Sequence, residues 1–115
     1  MAASQPAAEA RVSVTRSAGS LVVEVAEYVP SWHLPAETRL ARGWRGLVES
    51  VAIDPAYAGG PPRFVYADVP AGPDQVVAGR YELAASAGET DVAVKIVDVL
   101  GSEVLVVAGV RVDSQ

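Results

Sequence analysis
Along most of this chain apolar and polar residues alternate with a period of two, the pattern of half-buried β-strands. Val12 and Val14 alternate with Arg11, Ser13 and Thr15, and after a turn signal at Ser17-Ala18-Gly19-Ser20 the stretch Leu21 to Val29 is rich in β-branched residues. Together these predict a hairpin. Pro30 and Pro35 bracket Ser-Trp-His-Leu, which excludes a helix interior or a central strand there. Pro35 to Arg42 suits one or two helical turns, with Pro at the first position and Glu37 near the positive end.

Trp44 to Ile53 reads as a third strand, with Leu47, Val51 and Ile53 on one face. Asp54-Pro55 is expected to end it, and Ala58 to Pro62 is a loop. Arg63 to Val69 alternates again, Pro70 to Asp74 punctuates, and Gly79 to Ala84 is a short strand around Tyr81 and Leu83. Thr90 to Leu100 has the clearest alternation, with Val92, Val94 and Ile96 on one face and Asp91 and Lys95 on the other. Gly101-Ser102 then fits a two-residue turn, and Glu103 to Val112 returns as one strand. The tally is about seven strands with turn signals every ~8–12 residues and no helix long enough for a βαβ crossover, which predicts an all-β, antiparallel immunoglobulin-like sandwich.

At 115 residues and 11.9 kDa the chain suits one domain. The expected layout is a flexible N-terminal segment over residues 1–10 and a single sandwich over 11–113. With no cysteine and one histidine, His33, a disulfide framework, a thiol nucleophile and a two-histidine metal site are excluded. No apolar run reaches the ~20 residues of a membrane-spanning helix, and the first ten residues do not read as a signal peptide, so a cytoplasmic setting without membrane attachment is expected.

The net charge of −5 is uneven: residues before Gly46 carry five Arg and four Glu, the remainder four basic and ten acidic residues. An acidic body does not suit a free-standing duplex-DNA binder, whose affinity rests on neutralising phosphates. A local basic patch remains. Arg39, Arg42 and Arg45 lie three apart with Trp44 among them, a set able to grip phosphates and stack on a base, while a solvated turn with Trp44 in the core is the plainer reading. Trp32-His33 is either an exposed binding loop or a plug at one end of the sandwich.

Asp54-Pro55-Ala56-Tyr57 is similar to the Asp-Pro-Pro-Tyr loop with which amino-group DNA methyltransferases hold a flipped base. That loop works beside a parallel α/β sheet carrying S-adenosylmethionine, for which this chain has neither the glycine turn nor the room, so a β-turn with Pro at its second position is the expectation. Asp68, Asp74, Asp91 and Asp98 lack calcium-loop spacing, and no G-x-S-x-G is present. No catalytic residue, metal or cofactor is expected.

A broader likeness runs from Trp44 to Val107, about 65 residues. A Trp-containing strand ending at Asp54 is followed by Gly79-Arg-Tyr-Glu-Leu and by Ala93-Val-Lys-Ile-Val-Asp-Val-Leu-Gly101. This run resembles the extreme C-terminal segment of site-specific DNA methyltransferases of the adenine-modifying, type III-like kind, at Trp44, Val48, Asp54, Gly79, Tyr81, Ala93, Val94, Lys95, Asp98 and Gly101. Arg11 to Val29 is similar to the hairpin that precedes that segment. The resemblance implies a non-catalytic accessory domain that docks on a methyltransferase catalytic domain or another protein, or on DNA through Arg39, Arg42, Trp44 and Arg45. A stand-alone immunoglobulin-like module that binds protein or carbohydrate by its loops is the alternative.

Overall fold
A computed structural model describes residues 8–17, 19–30, 43–72, 75–85 and 91–112. Its elements are β1 (Glu9–Ser17), β2 (Ser20–Val29), a 3₁₀ turn (Gly43–Leu47), β3 (Val48–Tyr57), β4 (Tyr66–Asp68), β5 (Arg80–Ala84), β6 (Asp91–Asp98), β7 (Glu103–Ala108) and β8 (Arg111–Val112). They form two sheets, in the orders β5-β2-β1-β8 and β4-β3-β6-β7. All pairings are antiparallel except the short β1–β8 pair, which is parallel. The chain changes sheet between β2 and β3, between β4 and β5, between β5 and β6, and between β7 and β8. This is the predicted immunoglobulin-like sandwich. Among the described residues no helix is long and apolar enough to cross a membrane.

The inner faces are valine-rich. Val14, Leu21, Val23 and Val25 of the first sheet meet Val51, Ile53, Val92, Val94 and Ile96 of the second, all buried in one cluster. β-Branched side chains suit this role because their restricted χ1 loses little freedom on a pleated surface. The predicted inward parity of Val92, Val94 and Ile96 holds, as does that of Val51 and Ile53; Leu47 is buried too, but from the 3₁₀ turn and not as part of the strand.

Strict alternation breaks where strands carry an extra residue, since such a bulge flips every later side chain to the opposite face. Arg11 and Val12 of β1 face Glu27 and Val25 of β2, so Ala26 is supernumerary. Val25 and Tyr28 therefore both point inward, although they differ in parity. A second irregularity at Glu49 brings Val48 and Val51 to the core together.

Several boundaries differ from the sequence reading. Trp44 lies in the 3₁₀ turn, not in the third strand. Asp54-Pro55 does not end β3; the strand runs on to Tyr57 through another register shift. Of Arg63 to Val69 only Tyr66–Asp68 pairs as strand. The returning strand splits at Gly109-Val110, where the chain leaves β7 in one sheet and joins β1 in the other as β8. Strand β1 begins at Glu9, two residues before the alternation suggested. The helical turns read at 35–42, and Trp32 and His33, lie outside the described residues.

Ile96, fully buried on the central strand β6, sets the scale of the core. Ile96→Ala is expected to cost about 2–4 kcal/mol, as buried truncations do. Urea denaturation checks it, and a loss below about 0.5 kcal/mol would contradict the packing described, since only surface changes are that mild.

Candidate functional site
The groups with chemical potential are three aspartates, two buried tyrosines and the Trp44–Arg45 pair. Asp98 closes β6 and is fully buried. Its Oδ1 accepts N–H bonds from Leu100 (3.0 Å) and Ser102 (3.0 Å), and its Oδ2 accepts the Tyr28 hydroxyl at 2.7 Å. The Gly101 N–H donates to the Asp98 carbonyl at 2.9 Å, and the Asp98 N–H donates to the Ser102 carbonyl at 2.8 Å. The β6–β7 connection is thus a Val99-Leu100 turn followed by Gly101 at φ 89°, not the two-residue Gly101-Ser102 turn expected. A side chain short enough to reach back to the main chain two and four residues on explains why aspartate stands at this turn.

A second pair mirrors the first. The Tyr81 hydroxyl donates to Asp68 Oδ2 at 2.7 Å and accepts the Gly79 N–H at 3.1 Å, while the same Oδ2 accepts the Ala78 N–H at 2.8 Å. Tyr28 and Tyr81 belong to the first sheet and Asp98 and Asp68 to the second, so each bond crosses the sandwich. Burial pushes the pKa of both phenols well above the ordinary tyrosine value, and the hydrogen bond to a carboxylate pushes the same way.

Asp54, also buried, serves the 54–63 loop: Oδ1 accepts the Ala56 N–H at 3.1 Å and Oδ2 the Arg63 N–H at 2.8 Å. The Tyr57 hydroxyl donates to the Gly60 carbonyl at 2.9 Å. Asp54-Pro55-Ala56-Tyr57 is therefore a bulged strand end closed by its own aspartate, rather than a free β-turn. Asp54 faces main-chain amides, and Tyr57 is tied to its own loop.

The predicted nucleic-acid set is Arg39, Arg42, Trp44 and Arg45, of which Arg39 and Arg42 lie outside the described residues. Arg45 stacks on Trp44, its guanidinium carbon 4.9 Å from the ring centroid, and its Nε donates to the Ala78 carbonyl at 3.2 Å. Beneath them sits Gly79 at φ 82°, where a Cβ would lie 3.0 Å from the guanidinium and 3.3 Å from the indole. Glycine is required by the backbone angle and favoured by this close approach. The described half of the cluster thus covers the entry to β5 while its outer side stays accessible.

Sequence reasoning missed Tyr28 and Asp68 as partners, because neither sits in a motif and the Ala26 bulge alone aims Tyr28 inward. Among the described residues no three His, Cys, Asp or Glu side chains are placed to hold a metal ion, and no buried side-chain polar atom lacks a partner. Open grooves of about 640 and 610 Å³ run between the start of β1 and β7, lined by Ala10, Val12, Val106 and Val107 among others. Comparison with protein-family models, curated proteins and solved structures finds no match to this chain.

Three expectations can be measured on this geometry. Tyr28→Phe removes a buried hydrogen bond to a carboxylate and is expected to cost about 1.5–3 kcal/mol in denaturation; an unchanged midpoint would contradict the bond. Because the folded phenols hold their protons above the ordinary value of 10.0, their contribution is complete below that pH and lost as pH rises past it. Stability should accordingly fall more steeply above pH 10.0 in the parent than in Tyr28→Phe, measured by urea midpoints along an alkaline series. Gly79→Ala is expected to cost about 1–2 kcal/mol for the left-handed backbone alone; a neutral effect in thermal denaturation would show that the 3₁₀ turn does not hold Gly79 in that angle.

Proposed function
We propose that this chain is a non-catalytic accessory domain, related to the C-terminal segment of site-specific adenine DNA methyltransferases, that acts by docking on a catalytic domain. The observation that carries this reading is how its polar groups are spent. Asp54, Asp68 and Asp98 each accept main-chain N–H bonds that close a loop, and Tyr28 and Tyr81 each hold an aspartate. Groups so committed brace a scaffold: Asp54 and Asp98 are buried among main-chain donors, and the half-buried Asp68 is held by Tyr81 and the Ala78 N–H.

Exposed side chains favour contact with protein over contact with nucleic acid. Phe64, Val65, Tyr66 and Val69 cluster in sequence around the short edge strand β4 and are all exposed. Phe64 lies against Lys95, with the ammonium 5.9 Å from the ring centroid, on the outer face of the second sheet. A net charge of −5 opposes a phosphate backbone, so DNA contact through Arg39, Arg42, Trp44 and Arg45 would be an auxiliary to a larger complex. The same exposed Phe64-Val65 segment, beside Gly59 and Gly60 at positive φ, also favours the second reading, a loop-borne site for protein or carbohydrate.

The test is co-purification with a co-expressed adenine methyltransferase catalytic subunit, together with retention on duplex DNA at about 20 mM salt, where phosphate contacts are strongest. Association with the subunit, weakened at least about tenfold by Phe64→Ser as loss of an apolar anchor would do, is the expected result. Retention on neither, or S-adenosylmethionine bound to the isolated chain, would overturn the reading.

A further inference from the structure
Among the described residues four strands stand at sheet edges: β5 and β8 in the first sheet, β4 and β7 in the second. Edges are normally blunted, because a row of unpaired N–H and C=O groups recruits other strands. Here β8 has two residues and β4 three, while β5 places the charges of Arg80 and Glu82 on its exposed face. Strand β7 has none of these devices. After Glu103 it reads Val-Leu-Val-Val-Ala, without charge, proline or bulge, and Leu105 and Val107 are 44% and 46% exposed.

The direction of its free groups follows from the turn. Since the Asp98 N–H bonds to the Ser102 carbonyl, alternate residues Val104, Val106 and Ala108 bond to β6. The N–H and C=O groups of Glu103, Leu105 and Val107 then point away from the sheet, along the rim of the groove shared with β1.

We propose that β7 is a self-pairing edge, through which two copies of this chain join antiparallel about a two-fold axis at Leu105 and make one continuous sheet of the two second sheets. The segment is its own complement. Pairing about Leu105 sets that residue against itself, Val104 against Val106, and Glu103 against Val107, so every cross-strand pair is apolar or mixed and no like charges oppose. Glu103 is already tied to Lys95 of its own chain at 3.5 Å. A foreign strand would need to match the same alternation; the second copy matches it by symmetry. Two short strands cover less than the ~1,600 Å² of a standard stable complex, so the dimer is reversible and depends on concentration. The charge of −5 on each copy makes it tighter as salt screens repulsion. This pairing is independent of the accessory role proposed above.

Sedimentation velocity on the full chain from about 5 to 500 μM, a range centred on micromolar affinity, tests it. The expected result is a shift from one to two chains, at lower concentration in higher salt, with slowed exchange of the Leu105 and Val107 amides. Leu105→Glu, opposite Lys95 of its own sheet, sets two carboxylates against each other at the two-fold axis and should raise the dissociation constant at least about tenfold. Leu100→Ser, at the exposed β6–β7 turn, should leave it unchanged; circular dichroism establishes that both variants fold. A single-chain mass throughout, growth beyond two copies, a Leu105→Glu dimer as tight as the parent's, or a dimer lost in Leu100→Ser would each overturn the proposal.

Discussion

Two tyrosine hydroxyls, each bonded to an aspartate on the opposite sheet, fix how the halves of this sandwich meet. A core made mostly of valine supplies most of the driving force, but apolar contact is non-directional and tolerates sliding of one sheet over the other. The bonds Tyr28–Asp98, buried, and Tyr81–Asp68, partly buried, are both 2.7 Å long and directional, so displacement would leave carboxylate oxygens short of a donor in a poorly solvated place. Each aspartate also closes a connection between strands, through the amides of Leu100 and Ser102 in one case and Ala78 in the other. Sheet alignment and loop shape are thereby one problem with one solution.

The fold class was legible in the sequence because period-two alternation depends only on which face of a strand is buried. The inward faces of β6 and of Val51 and Ile53 follow for that reason, whereas Leu47 is buried from the 3₁₀ turn and not by strand alternation. What escaped were the bulges. Nothing in Val25-Ala26-Glu27-Tyr28 announces an extra residue, since a bulge is set by register with the neighbouring strand, a long-range property. The same limit hid the continuation of β3 past Asp54-Pro55 and the break at Gly109-Val110. The turn at Gly101 was placed rightly as a turn but wrongly in type, because the decisive group is the carboxylate of Asp98, three residues earlier.

The candidate site was less legible than the fold. Of the positions that carry the sequence resemblance, Trp44, Gly79, Tyr81, Asp98 and Gly101 all have direct structural tasks: a lid, the residue beneath it, a cross-sheet donor, a turn acceptor and a left-handed turn residue. Such positions describe how a domain of this kind is built more than what it touches. Surface residues that make contacts obey no period and carry no turn chemistry, so Phe64 and Leu105 were unremarkable until neighbouring strands placed them.

The short β8 strand runs parallel to β1, with Arg111 beside Thr15 and Val112 beside Arg16. The polypeptide therefore enters the sandwich at one pole and leaves it toward the other. Tension applied to the two ends would act along these neighbouring strands in opposite directions, loading their hydrogen bonds together in shear instead of peeling them one after another. A domain wired in this way resists stretching at the β1–β8 edge of its first sheet.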